Sequence, residues 1–224
     1  MFRTRVRPAA VMLLAAVLVT GCASTQRGPT EWDGLVRQPG TRLNAVFVRP
    51  DVEIPAFRSV MLDPVSVSFA SNWDPNARRT SVSRRLDAGD VQAIKDGLAT
   101  LFRDTFRDEL ARGGYQLVDE PGPETLRATA AIVDLFIAAP DTMQGGVRTY
   151  TTNAGRMTLV LELRDSITGE LLARVVDTQS GRSAGTWNIT NRVTNTAEAR
   201  RAITTWAAAL RRGLDELYQH SSQG

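Results

Sequence analysis

The sequence predicts an α+β fold: a mostly antiparallel or mixed sheet with two long helices packed on one face, in the order β-α-β-β-β-β-α. Two segments, one central and one near the end of the chain, repeat apolar residues at the spacing of amphipathic helices. The segments around them alternate apolar and polar residues, which is typical of half-buried strands. At 224 residues, the chain can bury a core without a metal or a disulfide.

The first strand and the first helix are indicated by local signals. Residues 59–69 alternate, and Pro64 within them predicts a bulge or an edge position. Asp87 suits a helix N-cap because Asp90 follows three residues later. Gly113 and Gly114 are expected to end this helix. The apolar stripe between the two ends comprises Val91, Ile94, Leu98, Leu101, Phe102 and Phe106.

Four strands are expected between the two helices. Residues 115–118 predict a short strand and residues 126–139 a long one, whose small side chains favour close packing of a helix. A loop is expected over residues 140–155. Residues 157–163 and 171–177 then predict a hairpin.

The final helix is predicted to begin at Asn195 or Thr196. Its arginines at 200, 201, 211 and 212 point away from the apolar stripe and predict a solvated face. Trp206 lies within the stripe, so we expect it in the core. The stripe comprises Ala199, Ile203, Trp206, Leu210, Gly213, Leu214 and Leu217.

The first residues have the pattern of a secretory signal. Three arginines precede an apolar run over residues 8–19, which is too short to span a bilayer as a stable helix. Small residues and then Cys22 follow, an order that resembles the lipobox of bacterial lipoproteins. The resemblance implies that Cys22 is acylated and becomes the first residue of the mature chain. Ala23 in the next position, by the rule for such lipoproteins, implies sorting to the outer membrane, facing the periplasm.

This interpretation divides the chain into four parts. Residues 1–21 are the signal peptide, and residues 22–31 are the lipidated cysteine and a flexible tether. Residues 32–58 are expected to wrap the domain as an extended arm with one short strand, and residues 59–220 to form a single periplasmic domain. The signal contributes the whole net charge of +3, so the mature chain is balanced and predicts no nucleic acid partner.

Several short motifs, in their order along the chain, resemble an uncharacterised family of proteobacterial lipoproteins, a domain of unknown function of the 3313 class. The motifs are Trp32-Asp33-Gly34-Leu35, Leu62-Asp63-Pro64-Val65, residues 165–170, Trp206-Ala207 and Leu210-Arg211. The family brings no activity, substrate or catalytic residue. The coarse fold also resembles small periplasmic modules that bind other envelope proteins, which is an analogy only.

The composition argues against an enzyme and against a metal or cofactor site. Cys22 and His220 are the only residues of their types, which excludes a disulfide, a zinc ribbon and a histidine cluster. Residues 181–185 match the G-x-S-x-G pattern around Ser183, with Asp215 and His220 following in the order of a hydrolase triad. However, no helix follows the serine at once, and no oxyanion motif or repeated βα unit is present. Asp63, Asp134, Asp165 and Asp177 are interpreted as turn and edge residues.

The candidate partner-binding residues are Trp73 and the basic loop before the first helix. The loop carries Arg78, Arg79, Arg84 and Arg85. It is either a solvated loop or a contact for anionic head groups or an acidic partner. Trp73 either packs on the domain or anchors a partner. The same two interpretations apply to Trp32 and Trp187.

The sequence therefore predicts a lipoprotein anchored to the outer membrane through acyl chains on Cys22. Its domain would act as a periplasmic binding or envelope-maintenance module, without catalytic activity or cofactor, with another envelope protein as a partner. The alternative is a protein that binds a small molecule or a lipid, which needs an apolar pocket between the sheet and the helices. A serine hydrolase using Ser183 is a distant third.

Overall fold

In a computed structural model, the structure describes residues 28–50, 52, 54–74, 76–77, 85–137, 150–151, 155–180, 188–189 and 192–221. Within them a nine-stranded mixed sheet, a separate two-stranded sheet and two helices are formed, which confirms the α+β class. The elements are β1 Glu31–Trp32, β2 Leu35–Arg37, β3 Ala45–Val48, β4 Ser59–Leu62, β5 Ser66–Phe69, α1 Ala88–Arg112, β6 Gln116–Val118, β7 Thr125–Phe136, β8 Tyr150–Thr151, β9 Arg156–Asp165, β10 Leu171–Ser180, β11 Asn188–Ile189 and α2 Arg192–Ser221.

The large sheet has the strand order β1-β2-β3-β10-β9-β7-β4-β6, with β5 pairing alongside β7. The strands β4 and β5 run parallel to β7, and β4 also runs parallel to β6. The other pairs of this sheet are antiparallel, including the predicted hairpin β9–β10. The small sheet pairs β8 with β11.

Several boundaries differ from the sequence prediction, and β7 spans Thr125–Phe136 rather than residues 126–139. The strand expected over residues 59–69 is divided into β4 and β5, because Pro64 has no N–H with which to continue the ladder. The last helix begins at Arg192 rather than at Asn195 or Thr196. The segment over residues 31–48, in which one strand was expected, adds three strands to one edge of the sheet.

The ends of α1 are as predicted. The backbone N–H of Asp90 donates to Oδ1 of Asp87 at 2.9 Å, and the N–H of Asp87 donates to Oδ2 of Asp90 at 3.0 Å, which forms a capping box. After the helix, Gly114 has a φ of +82°, a left-handed conformation that favours glycine.

Both helices pack their apolar stripes onto one buried cluster with the sheet. Trp206 of α2 is buried in it, as predicted. From the sheet, alternate residues of β7 and β9 point into the same cluster. None of the helices in the described residues is long and apolar enough to cross a bilayer.

Candidate ligand-binding groove

An open groove of about 1610 Å³ runs between α2 and the strands β3, β9 and β10. Its lining is mostly aliphatic, as ligand sites generally are. Buried residues such as Leu161 and Trp206 form its base. The half-buried apolar side chains along it include Val46, Val48, Leu163, Val175, Ala209 and Leu217.

The groove exists because the sheet is wider than the two helices that cover it. Strands are spaced about 4.8 Å apart, whereas a helix with its side chains is about 10 Å across, so two helices cover roughly four strands. The main path of this sheet has eight strands. Helix α1 packs on α2 and lies next to β5 and β6. The helix-facing side of β3 and β10 is therefore left partly open beside α2.

One wall of the groove, residues 41–43, is attached to the sheet through Asn44 and Asp177. The backbone N–H of Asn44 donates to Oδ1 of Asp177 at 2.9 Å. The N–H of Thr178 donates to Oδ1 of Asn44 at 2.6 Å. This side-chain hydrogen bond lies just beyond the last backbone pair of β3 and β10, Ala45 with Val176.

Asp177 also holds the helix that forms the other wall. The indole N–H of Trp206 donates to its Oδ2 at 2.8 Å, and the side-chain amide of Gln179 donates to the same oxygen at 2.7 Å. Asp177 is only 1% exposed. The carboxylate thus connects the wall segment, β10 and α2.

The interpretation of Asp177 as a turn or edge residue is wrong, because this side chain lies in the core. Two signals in the sequence could have identified it. It stands in the inward phase of the β10 alternation, two residues after Val175, and a tryptophan in a core stripe needs an acceptor for its N–H. Asp165 does lie in a turn, where it accepts from the N–H groups of Ile167 and Thr168.

The rim of the groove is basic. Arg42, Arg200, Arg201 and Arg212 line it and are exposed, whereas Glu216 is the acidic residue of the lining. Arg201 pairs with Glu198 at 2.6 Å. Within the described parts of the chain, Arg42, Arg200 and Arg212 have no carboxylate at salt-bridge distance.

The candidate partner-binding residues are only partly covered by the structure. Arg78, Arg79 and Arg84 lie outside the described residues, and Arg85 is exposed. Trp73 is half-buried: its indole N–H donates to the carbonyl of Ile137 at 3.0 Å, and its ring stacks on Phe69 at 3.8 Å. This tryptophan is therefore held against the domain.

Trp32 lies at the edge of the sheet and is 40% exposed. The guanidinium of Arg174 lies over its ring at 4.2 Å, and Phe47 meets the ring edge-on at 5.8 Å. Arg174 in turn pairs with Glu162 at 2.6 Å and with Asp33 at 2.7 Å. Trp187 lies outside the described residues.

The residues of the candidate hydrolase triad are only partly covered by the structure. Cys22, Ser183 and the side chain of His220 lie outside the described residues. Asp215 accepts from the hydroxyl of Tyr115 at 2.9 Å and from Arg211 at 3.0 Å. Burial, and then the hydrogen bond to Asp215, raise the pKa of Tyr115 to about 12.

Among the residues that the structure covers, no three acidic, histidine or cysteine side chains are grouped as a metal site.

Comparisons with known proteins identify a family and some distant structural similarities. Residues 26–210 match the family described as "Protein of unknown function (DUF3313)". No curated protein matches the chain significantly.

Three solved structures are similar over most of the chain. The PelC dodecamer from Paraburkholderia phytofirmans is 12% identical, with a TM-score of 0.38 over 74% of this chain and 96% of PelC. Protein XCC0632 from Xanthomonas campestris, of family DUF330, is 14% identical, with a TM-score of 0.36 over 79% and 94%. A putative neuraminyllactose-binding hemagglutinin homolog from Helicobacter pylori is 9% identical, with a TM-score of 0.39 over 77% and 94%. With TM-scores this low, no inference about function follows from them.

Proposed function

The chain belongs to the DUF3313 family of proteins of unknown function, and we propose that it is a lipid-anchored envelope protein that binds a ligand rather than converting one. The observation that carries this proposal is the open apolar groove beside α2 with its basic rim. The groove is the feature that the alternative interpretation of the sequence required: an apolar pocket between the sheet and the helices. It favours a small-molecule or lipid ligand over a protein partner.

The polar groups at the groove support binding rather than catalysis. Asp177 uses both carboxylate oxygens to hold Asn44 and Trp206, so its role there is structural. The rim arginines are exposed, and a guanidinium group carries N–H donors and no acceptor, which suits it to binding an anion. A general acid or base needs a titratable group within reach of the substrate. Glu216 is the one carboxylate of the described lining and lies exposed at the rim, and the rest of the lining offers guanidinium groups and apolar surface.

The anchor proposed at Cys22 sets where the domain works. From Cys22 to Glu31 the chain spans at most about 30 Å when fully extended. The first described strands, β1 and β2, form the edge of the sheet next to β3, and β3 contributes to the groove. The tether would thus enter the domain from the groove side and keep the groove close to the membrane.

The anchor is tested by labelling cells with palmitate and separating the membrane from the periplasm. We expect the wild-type chain to carry label and to sediment with the outer membrane. The Cys22→Ser variant should lose the label and move to the periplasmic fraction, and Ser183→Ala should behave as the wild type. An unlabelled wild-type chain, or unchanged fractionation of Cys22→Ser, would contradict the anchoring.

The absence of catalysis is tested separately. A fluorophosphonate probe reacts with activated serine nucleophiles. We expect no labelling of the purified protein, with a serine hydrolase treated in parallel as a positive control. Labelling that disappears in Ser183→Ala would overturn the proposal and restore the hydrolase interpretation.

A further inference from the structure

We propose that the groove holds an acyl chain of an anionic phospholipid taken from the membrane to which the protein is tethered, with the lipid head group at the rim arginines. This inference rests on the proposed function, since it requires a binding protein held at a bilayer. It adds the chemical class of the ligand and the residues that would recognise it.

The groove offers an acyl chain a surface with few exposed polar atoms. The indole N–H of Trp206 is used by Asp177, so its ring presents carbon to the groove. The hydroxyl of Thr204 donates to the carbonyl of Arg200 at 2.8 Å, and the hydroxyl of Thr205 donates to the carbonyl of Arg201 at 3.0 Å. Both hydroxyls are thus satisfied within α2. A surface of this kind gains by excluding water.

The size of the groove favours an extended ligand. Sites for drug-sized molecules usually measure about 300–1,000 Å³, whereas this groove measures about 1610 Å³. Its lining follows α2 from Thr196 to Leu217, a length of roughly 30 Å at 1.5 Å per residue. A long apolar site open to solvent fits a flexible hydrocarbon chain better than a compact molecule.

The charge at the rim indicates the head group. Arg42 is two residues from Asn44, which is joined through Asp177 to Trp206. Arg200 and Arg201 precede Trp206 by about one and a half helical turns. All three arginines line the groove. Arginine binds phosphate with charge-assisted hydrogen bonds, so an anionic phosphate group complements this basic rim.

The inference is tested with the acylated full-length protein reconstituted in phosphatidylcholine vesicles. The vesicles carry a small fraction of phosphatidylglycerol with a diazirine on its acyl chain. After photolysis, digestion and mass spectrometry, we expect crosslinks in the peptides that contain β3, β10 and α2. The same diazirine on phosphatidylcholine should give about tenfold less crosslinking in these peptides, the ratio that corresponds to 1.4 kcal/mol.

Two pairs of variants separate the apolar site from the charged rim. Ala209→Trp fills the groove and should abolish these crosslinks, whereas Ala93→Trp on the exposed side of α1 should leave them unchanged. The double variant Arg42→Glu with Arg200→Glu should reduce the phosphatidylglycerol crosslinks about tenfold, to the level of phosphatidylcholine. Arg103→Glu, an exposed arginine of α1, is its control. Circular dichroism checks that each variant is folded.

Three results would overturn the inference. The first is crosslinking confined to the tether, which would show lipid only at the anchor. The second is equal crosslinking by both lipids, which would show that the groove does not select an anionic head group. The third is crosslinking of β3, β10 and α2 that persists in Ala209→Trp, which would show that the lipid lies outside the groove. If palmitate labels Cys22 but the groove is not crosslinked, only this inference fails. If Cys22 is not acylated, the anchoring and this inference both fail, because the lipid is drawn from the membrane to which the anchor holds the protein.

Discussion

Asp177 connects both walls of the groove to the sheet, and exchanging it for asparagine tests that connection. Asparagine keeps the shape of the side chain but replaces one acceptor oxygen with an NH₂ donor. In the wild type Oδ1 accepts from Asn44, and Oδ2 accepts from Trp206 and Gln179. In either orientation of the amide, the NH₂ group faces the N–H of Asn44 or the indole N–H of Trp206.

The expected cost follows from the burial of this site. A buried donor left without an acceptor costs about 1–3 kcal/mol, and hydrogen bonds to a charged acceptor are worth about 1.5–3 kcal/mol. Asp177 is 1% exposed, so solvent does not replace the lost acceptor. We expect Asp177→Asn to lower the free energy of unfolding by about 2–4 kcal/mol. Asp177→Ala should cost more, because all three donors lose their acceptor.

The measurement is guanidinium denaturation of protein that carries Cys22→Ser. Unfolding is monitored by tryptophan fluorescence and by far-ultraviolet circular dichroism. Asp96→Asn is the matched control, since Asp96 is exposed on α1 and accepts from Gln92 through one oxygen. It should change the free energy of unfolding by less than about 0.5 kcal/mol. If Asp177→Asn changes it as little as the control does, the account of the groove walls is wrong.

Three further predictions concern positions with a defined local cause. Gly155 has a φ of +131°, and a Cβ there would lie 2.7 Å from the carbonyl oxygen of Phe136, so Gly155→Ala should lower the free energy of unfolding by about 1–3 kcal/mol in denaturant titrations. Burial and the bond to Asp215 raise the pKa of Tyr115 from 10.0 to about 12. Because the folded state favours the neutral phenol, the contribution of Tyr115 to the free energy of unfolding is complete below pH 10 and is lost between about pH 10 and 12. Tyr115→Phe should remove that loss when unfolding is measured across this pH range. Arg174→Met removes a guanidinium that is 7% exposed and paired with two carboxylates, and should cost about 2 kcal/mol in thermal or chemical unfolding.

Each of these predictions has an outcome that contradicts it. A Gly155→Ala protein as stable as the wild type would show that the backbone can relax there. If the wild type and Tyr115→Phe lose stability in parallel above pH 10, the raised pKa of Tyr115 is contradicted. Unchanged stability of Arg174→Met would mean that Glu162 is adequately solvated without its partner. For this last case, exposed Arg103→Met is the control.

The parts of the fold that depend on neighbouring residues were predictable. The capping box at Asp87, the end of α1 at Gly113 and the hairpin β9–β10 each arise from contacts between residues close in the chain. The core position of Trp206 follows from helical spacing in the same way. These signals therefore survive in the linear sequence.

The pairing of distant segments was not predictable in this way. The division of residues 59–69 into two strands parallel to β7 joins segments about 65 residues apart, and the addition of β3 to β10 joins segments more than 120 residues apart. No local pattern records which strand lies beside which, because pairing is decided by the whole set of competing partners.

The sequence by itself determined the class of fold, the ends of α1, the hairpin β9–β10 and the expectation of an acylated Cys22, because those signals are short and local. Only the tertiary structure decided that Asp177 joins Asn44 to Trp206 and that a groove stays open beside α2. The physical reason is coverage: two helices of fixed width lie on a sheet whose main path has eight strands, and the uncovered strip appears only when the strand order is known.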